Sequence, residues 1–183
     1  FNFKEFMPPT IVTKNLHEIE IFLNKFGDII TKPLYGNGGE GIHRFDKNNF
    51  DPATIEQYLH LPIMVQKYIN EIDQGDRRLI IIDGEYCGSV ARIPKDGDSK
   101  ANFHAGGIPR KTGLVFRDKK IIETVGPLLK ENNLFFVGID IIGDYLTEVN
   151  VTSPTGIKQI NMLNDVNLEK VFWDKLEAKY KLV

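Results

Sequence analysis

Cysteine is nearly absent from this chain. Cys87 is the only one, which excludes an internal disulfide and any metal site built from several thiolates. A single thiol fits a reducing compartment. Long apolar runs are missing as well: no stretch approaches the roughly 20 residues that a bilayer-spanning helix needs, so no membrane is implied. An excess of one charge is also lacking. With 23 Lys and Arg against 25 Asp and Glu, the formal charge is −2. No general basic field therefore draws the chain to nucleic acid, and an anionic ligand has to be held by a local site. The opening Phe1-Asn2-Phe3-Lys4-Glu5 carries neither the apolar core of a signal peptide nor an initiator methionine, which suggests a part of a longer protein.

What is present is ordinary for a globular protein. The 183 residues are 42% hydrophobic and 26% charged, enough for a core in one domain or in two small lobes. The pattern is mixed α and β without repeats. Leu16, Ile19, Phe22, Leu23 and Phe26 predict a helix over 15–26, capped by Asn15 with Glu18 and stopped by Gly27. Strands are expected at 29–34 and 42–45, and Asp51-Pro52 starts a short helix ending near His60. Extended segments follow at 63–69, 79–83 and 85–93, the last two joined by a tight Asp83-Gly84 turn. The polar run 94–113 holds no evident element and reads as a lid or a disordered loop. A helix over 118–132, kinked at Pro127, a hairpin of 137–142 with 146–151, and a closing helix over 168–180 complete the chain. A composition shift near Leu61-Pro62 divides it into lobes 1–62 and 63–183.

The segment Gly36-Asn37-Gly38-Gly39-Glu40-Gly41 satisfies G-x-G-x-x-G literally. A dinucleotide fingerprint needs a helix after it, and Ile42-His43-Arg44-Phe45 reads as a strand. The Gly-Lys-Ser/Thr of a phosphate-loop ATPase is absent too. A glycine hairpin between two strands remains, with Lys32 on the strand that enters it. Backbone N–H groups freed by glycine can wrap phosphate oxygens and a lysine can supply the cation; a plain surface hairpin with a solvated lysine is the alternative.

The run 138–150 carries a second constellation. Alternation puts Ile139 opposite Val149, and hence Asp140 opposite Glu148 and Gly138 opposite Asn150, with a three-residue connection at 143–145. A two-residue turn would set Glu148 against Ile139. In the chosen register Asp140, Glu148 and Asn150 share one face. Two facing carboxylates repel unless a cation lies between them, and the hairpin has almost no lysine or arginine to neutralise them. Three hard oxygen ligands suit Mg²⁺; a solvated outer face is the alternative. Gln66-Lys67-Tyr68-Ile69 ends a strand whose backbone could meet an adenine edge. Asp76, Arg77, Arg78 and Arg92 place charges on adjoining strands, matching phosphate geometry or forming surface ion pairs. The histidines 17, 43, 60 and 104 have no ligand spacing.

Taken in order, these pieces resemble the prokaryotic glutathione synthetase family of the ATP-grasp superfamily. The matching strings are Ile30-Thr31-Lys32-Pro33-Leu34 with the glycine loop, Gln66-x-Tyr68-Ile69, Gly75-Asp76-x-Arg78 and Asp83-Gly84-Glu85. Ala91-Arg92-Ile93-Pro94, Asn102 to Gly107, 136–143 and 147–155 complete the set. The resemblance implies an α+β ATP-grasp fold of two lobes gripping ATP, preceded in the family by an N-terminal domain that this chain starts after. It implies that Lys32 and the loop Gly36, Asn37, Gly38 and Gly39 hold the phosphates. Gln66, Lys67, Tyr68, Ile69 and Asp76 are then nucleotide-binding, and Asp140, Glu148 and Asn150 bind Mg²⁺ (or Mn²⁺). Arg78, Arg92 and Asn102 serve the transferred phosphoryl group, and Ser153, Pro154 and Thr155 border the peptide substrate. Ile108 stands where the family often has a basic residue after the lid's Gly-Gly. The implied reaction joins γ-glutamylcysteine to glycine at the expense of ATP, in a cytoplasmic enzyme that is a homo-oligomer at full length. Another peptide ligase of the superfamily, such as one adding glutamate, or a module that binds Mg·ATP without turnover, are the alternatives.

Overall fold

The computed structural model of the chain describes residues 3–35, 41–94 and 106–181. The chain forms two compact units, one spanning Met7–Asn70 and the other Glu71–Val183 together with Phe1–Phe6.

The smaller unit contains β1 (Thr10–Thr13), α1 (Leu16–Phe26), β2 (Asp28–Pro33), β3 (His43–Asp46), α2 (Pro52–Glu56) and β4 (Ile63–Lys67). Its four strands form an antiparallel sheet in the order β1-β4-β2-β3. Helix α1 starts where Asn15 Oδ1 accepts from the His17 N–H at 2.9 Å, satisfying a donor the helix itself cannot. It stops where Gly27, at φ 79°, turns its N–H back to Leu23 O at 2.7 Å. The α1 residues Ile19, Phe22 and Leu23 pack with Ile29, Phe45, Ile55, Ile63 and Val65, so one sheet face is core. The opposite face carries Ile30, Lys32, Met64 and Gln66, half-buried or buried, by strand alternation.

The larger unit contains β5 (Asp76–Ile82), β6 (Glu85–Ile93), β7 (Ile108–Lys111), α3 (Phe116–Glu131), β8 (Phe136–Ile142), β9 (Tyr145–Asn150), α4 (Ile157–Asn164) and α5 (Leu168–Tyr180). The strands make a five-stranded antiparallel sheet, β7-β6-β5-β8-β9. One face packs Leu79, Ile81, Val137, Ile139 and Ile141 against Ile121, Val125 and Leu129 of α3. The other packs Ile80, Ile82 and Val90 against Ile160 and Leu168. The β5–β6 turn is the expected Asp83-Gly84 pair with both φ positive, 51° and 81°, as a twist-matched two-residue turn requires. There α3 approaches so closely that a Cβ on Gly126 would collide with the Gly84 carbonyl oxygen.

Several elements depart from the sequence expectation. β1 and α4 were not anticipated, and β7 lies inside the run 94–113 that looked elementless; it pairs with β6 from Val90↔Lys111 to Ile93↔Ile108. β5 begins at Asp76 rather than 79, because its first residues are buried charges that break the apolar pattern. β4 pairs with β1 and β2, so the units divide at 70/71 where composition suggested 62/63. Among the described residues no helix is long and apolar enough to cross a membrane.

Candidate functional site

The β8–β9 hairpin has the expected register but not the expected connection. Asp140 faces Glu148, Ile139 faces Val149 and Gly138 faces Asn150. The turn, however, is the two residues Gly143-Asp144, with Ile142 paired to Tyr145 and Ile141 to Leu146. A bulge between Asp140 and Ile141 absorbs Thr147 as the extra residue, and this is what rescues Glu148 from facing Ile139. The Thr147 hydroxyl donates to the Asp140 carbonyl oxygen at 3.1 Å.

The hairpin alone hides its cations. Asp140 lies between two arginines on the neighbouring strands: Arg78 faces it directly across β5–β8, and Arg92 faces Asp76 across β5–β6. All four side chains are buried, Arg92 and Asp140 at 2% exposure, Arg78 at 5% and Asp76 at 7%. Arg78 forks onto Asp140, Nε to Oδ1 and Nη2 to Oδ2, the latter at 2.7 Å. Arg92 forks onto Asp76 through Nε at 2.7 Å and Nη2 at 2.5 Å. The same Arg92 Nη2 also lies 2.9 Å from Asp140 Oδ2. The expected absence of neutralising arginine is therefore corrected: the counter-charges sit on β5 and β6, and they form buried pairs rather than surface ones.

Burial acts to raise the Asp140 carboxyl, but the Arg78 hydrogen bonds and the charges of Arg92 and Arg78 outweigh it and hold the group below the usual carboxylate range. For Asp76 burial dominates and raises the group against the pull of Arg92. Burial would lower Arg92, yet its hydrogen bonds and charge contacts with Asp76 and Asp140 raise it.

Asn150 Nδ2 donates to Asp140 Oδ2 at 3.3 Å, which leaves the Asn150 amide oxygen as an acceptor. Glu148 is exposed and Asn150 half-buried on the same edge. Among the described residues no group of three His, Cys, Asp or Glu side chains suits a metal ion. The donor set is two carboxylates and one amide oxygen. These hard ligands fit Mg²⁺, which completes its shell with water and phosphate oxygens.

Arg78 Nη1 also donates to the Thr155 carbonyl oxygen at 3.0 Å, which ties the segment 151–156 to the same network. Pro154 is buried against Gly138, where a Cβ would lie 2.7 Å from Pro154 Cβ and 3.1 Å from Arg78 Cδ. Glycine at 138 thus leaves the lane along which Arg78 reaches Asp140. Ser153 and Thr155 are exposed. Arg77, one residue from Arg78, points to the other sheet face and forks onto Asp118 at 3.0 and 2.7 Å. It ties α3 to the sheet and lies apart from the site.

In the smaller unit Lys32 is half-buried on the face away from the core. Gln66, 2% exposed, donates through Nε2 to Thr10 Oγ1 at 2.9 Å, so its side chain holds β1 to β4. The Lys67 N–H donates to Pro9 O at 2.9 Å and the Tyr68 N–H to Asp28 O at 3.0 Å. The Tyr68 ring lies under the Arg44 guanidinium, 3.7 Å from its centroid, and Arg44 is itself forked onto Asp28. Ile69 is buried. Gly36, Asn37, Gly38, Gly39 and Asn102 lie outside the described residues. Sequence reasoning missed Gly138, Thr147 and the Thr155 carbonyl; the short spacing of Asp76 and Arg78 on one strand was the available signal for the quartet.

The two antiparallel sheets with their helices make an ATP-grasp fold. The chain superposes on an ATP-grasp ligase, PsnB, solved with a precursor peptide and AMPPNP, at TM-score 0.70 and 17% identity, over 96% of this chain and 54% of that one. It also matches D-alanine–D-alanine ligase from Bacillus anthracis complexed with ATP, at TM-score 0.62 and 15% identity, over 96% and 60%. The family is narrower than the fold. Residues 1–165 match the description "prokaryotic glutathione synthetase, ATP-grasp domain", and the chain belongs to that family. It is 44% identical to a glutathione synthetase of Mesorhizobium japonicum over 98% of this chain and 58% of that protein. It is 43% identical to one of Shewanella oneidensis over 97% and 58%. The chain thus spans less than two thirds of the curated relatives it matches.

Proposed function

We propose that the chain is the ATP-binding, catalytic part of a glutathione synthetase, an ATP-dependent carboxylate–amine ligase. The observation that carries this reading is the hairpin face of Asp140, Glu148 and Asn150, backed by Arg78 and Arg92, in a chain of this family. Asp140, Glu148 and the Asn150 amide oxygen would hold Mg²⁺, which supplies neutralisation of phosphate charge when bound; Mn²⁺ suits the same oxygens. In the smaller unit Lys32 and the glycine loop serve the phosphates, and the end of β4 at Lys67, Tyr68 and Ile69 serves the adenine.

The reaction is written from its chemistry. A γ-glutamylcysteine carboxylate oxygen bonds to the γ-phosphorus of ATP as the β,γ-bridging bond breaks and ADP leaves. The glycine amine then bonds to the acyl carbon, loses a proton, and phosphate departs. Positioning and charge neutralisation are what a protein contributes to such a transfer. Pro154 and the exposed Ser153 and Thr155, held by Arg78, border the peptide.

ADP release from Mg·ATP by the chain with γ-glutamylcysteine and glycine is the test, with glutamate as the competing amine. Release that needs glycine supports glutathione synthesis; release with glutamate alone refutes it in favour of another ligase of this fold. A part that binds Mg·ATP without turnover is the competing outcome of the same test. Calorimetric binding with no ADP release would decide for it.

A further inference from the structure

The two-residue turn of the β8–β9 hairpin sets a problem for Glu148. With Ile142 paired to Tyr145 and Ile141 to Leu146, plain alternation would put Thr147 against Asp140 and Glu148 against Ile139. The second strand has to take up one extra residue before Glu148. Taken up in the turn, it would give a three-residue connection and a regular strand at Glu148. The structure takes it up at Thr147, immediately before Glu148. A bulge bends its strand and increases the local twist, which re-aims a neighbouring side chain. The place of the extra residue therefore decides how Glu148 stands toward Asp140.

The turn is held from outside the hairpin. Arg77 Nη2 donates to the Gly143 carbonyl oxygen at 2.7 Å, while the same nitrogen meets the buried Asp118 Oδ1. Arg117 Nε donates to the Asp144 carbonyl oxygen at 3.2 Å, and its Nη2 to the Glu5 carbonyl oxygen at 2.9 Å. Both turn carbonyls thus face an arginine, one from β5 and one from α3. Further along β9 the Leu146 N–H donates to Phe6 O at 2.8 Å, and the Phe6 ring lies 4.8 Å from the Arg117 guanidinium. Hydrogen bonds from charged donors are the stronger kind. A three-residue connection would carry these carbonyls and Leu146 away from partners fixed in other elements.

We propose that Arg77 and Arg117 are positioning residues of the metal site: by holding both carbonyls of the β8–β9 turn they keep the extra residue at Thr147, and so aim Glu148 at the face it shares with Asp140. The inference rests on the metal reading of the hairpin. Neither arginine touches nucleotide or metal; Arg77 points to the opposite sheet face, and both act through the turn.

Mn²⁺ serves as a paramagnetic probe, titrated by electron paramagnetic resonance into the full chain saturated with a non-hydrolysable ATP analogue. Arg117→Met and Arg77→Lys are each expected to weaken Mn²⁺ about tenfold, the scale of losses when a residue supporting a metal ligand is removed. Calorimetry without metal should show analogue binding unchanged in both. The sign separates positioning from charge. Loss of the Arg117 cation would by Coulomb's law alone strengthen a divalent cation, and Arg77→Lys keeps a positive charge beside Asp118. Arg117→Lys retains a donor for the Asp144 carbonyl and should stay within about threefold of the unaltered chain. Deleting Thr147 leaves Leu146 opposite Ile141 and Glu148 opposite Asp140 without the bulge, and should also weaken Mn²⁺ about tenfold. Arg117 bonds carbonyls rather than a buried carboxylate, so Arg117→Met tests the clamp even if Arg77→Lys does not fold. Unchanged Mn²⁺ affinity in Arg117→Met or in the chain lacking Thr147, or an equal loss of metal-free analogue binding, overturns the proposal. Mn²⁺ binding indifferent to Glu148→Gln would sink the hairpin as a metal site, and this proposal with it. A loss at Glu148 with none at the turn would sink this proposal alone.

Discussion

The β5–β6 hairpin carries an ionic cluster at each end, and the two clusters have opposite energetics. At the open end Asp76, Arg78, Arg92 and Asp140 are buried to 7% exposure or less. At the turn end Asp83 meets Lys130 and Lys179, each at 2.8 Å, and Glu85 meets Lys175 at 2.6 Å. There the Lys130 and Glu85 side chains are 55% and 67% exposed. Water screens the Lys130–Asp83 and Lys175–Glu85 pairs through their exposed members and supplies alternative partners, so those two contribute little. The buried end has no such alternative. Its charges were all desolvated together, and removing one leaves another uncompensated. Similar residue types therefore clip α3 and α5 to a turn at one end and hold a carboxylate in one fixed geometry at the other.

The largest effect should come from breaking the buried end singly. Arg92→Met leaves Asp76 and Asp140 without the guanidinium they share, with Arg78 still forked onto Asp140, and is expected to destabilise the larger unit by about 3–5 kcal/mol. Urea denaturation followed by far-ultraviolet circular dichroism would measure it. A loss below about 1 kcal/mol would make the buried end energetically like the turn end, and the contrast would fail.

That contrast also explains what could be read from the sequence. Ile139 and Val149 fixed the face assignment of β8–β9, because a one-residue slip would expose an entire apolar row. Asp83-Gly84 announced its turn through backbone conformations that few other residues adopt. The start of β5 stayed hidden, since Asp76 and Arg78 occupy positions where alternation demands apolar side chains and nothing local reveals their partners. Asp140 and Arg78 are 62 residues apart in sequence. A hairpin considered alone thus looked unneutralised, and the inference toward a cation drew on a charge balance that two other strands had already met. The Thr147 bulge was invisible for a similar reason: it answers to a register, and alternation without a bulge tied that register to a three-residue turn, where the structure has two. Helix α4 and strand β7 are short, four to eight residues, and are held by tertiary packing more than by their own pattern.

An intermediate effect should follow from the backbone of the open end. Gly75→Ala would force an L side chain into φ 92° and place its Cβ 2.5 Å from the Arg92 carbonyl oxygen. Strained backbone of this kind costs about 1–3 kcal/mol by itself, and the contact adds to it because a main-chain atom in a central ladder gives way poorly. An equilibrium loss of about 2–3 kcal/mol is expected on the same denaturation assay. A loss of only a few tenths would show that the β5–β6 ladder relaxes there, and that Asp76 is held less firmly than its contacts suggest.

The smallest effect belongs to the turn end, and its sign can be worked out. Hydrogen bonds from Lys130 and then Lys179 lower the Asp83 carboxyl below its ordinary value. A depressed carboxylate contributes stability above its unfolded pKa, near 4, and that contribution is lost as pH falls through the lower folded value. Asp83→Asn removes the charge while tolerating the left-handed φ of 51°. It should therefore lower stability by no more than about 1 kcal/mol at neutral pH. The gap between variant and unaltered chain should narrow steadily below about pH 4, and shrink in high salt. Thermal melts at pH 7 and pH 3 would measure both. If the gap widened on acidification, Asp83 would be stabilised as the neutral acid, and the turn end would resemble Asp76, where burial outweighs the partner.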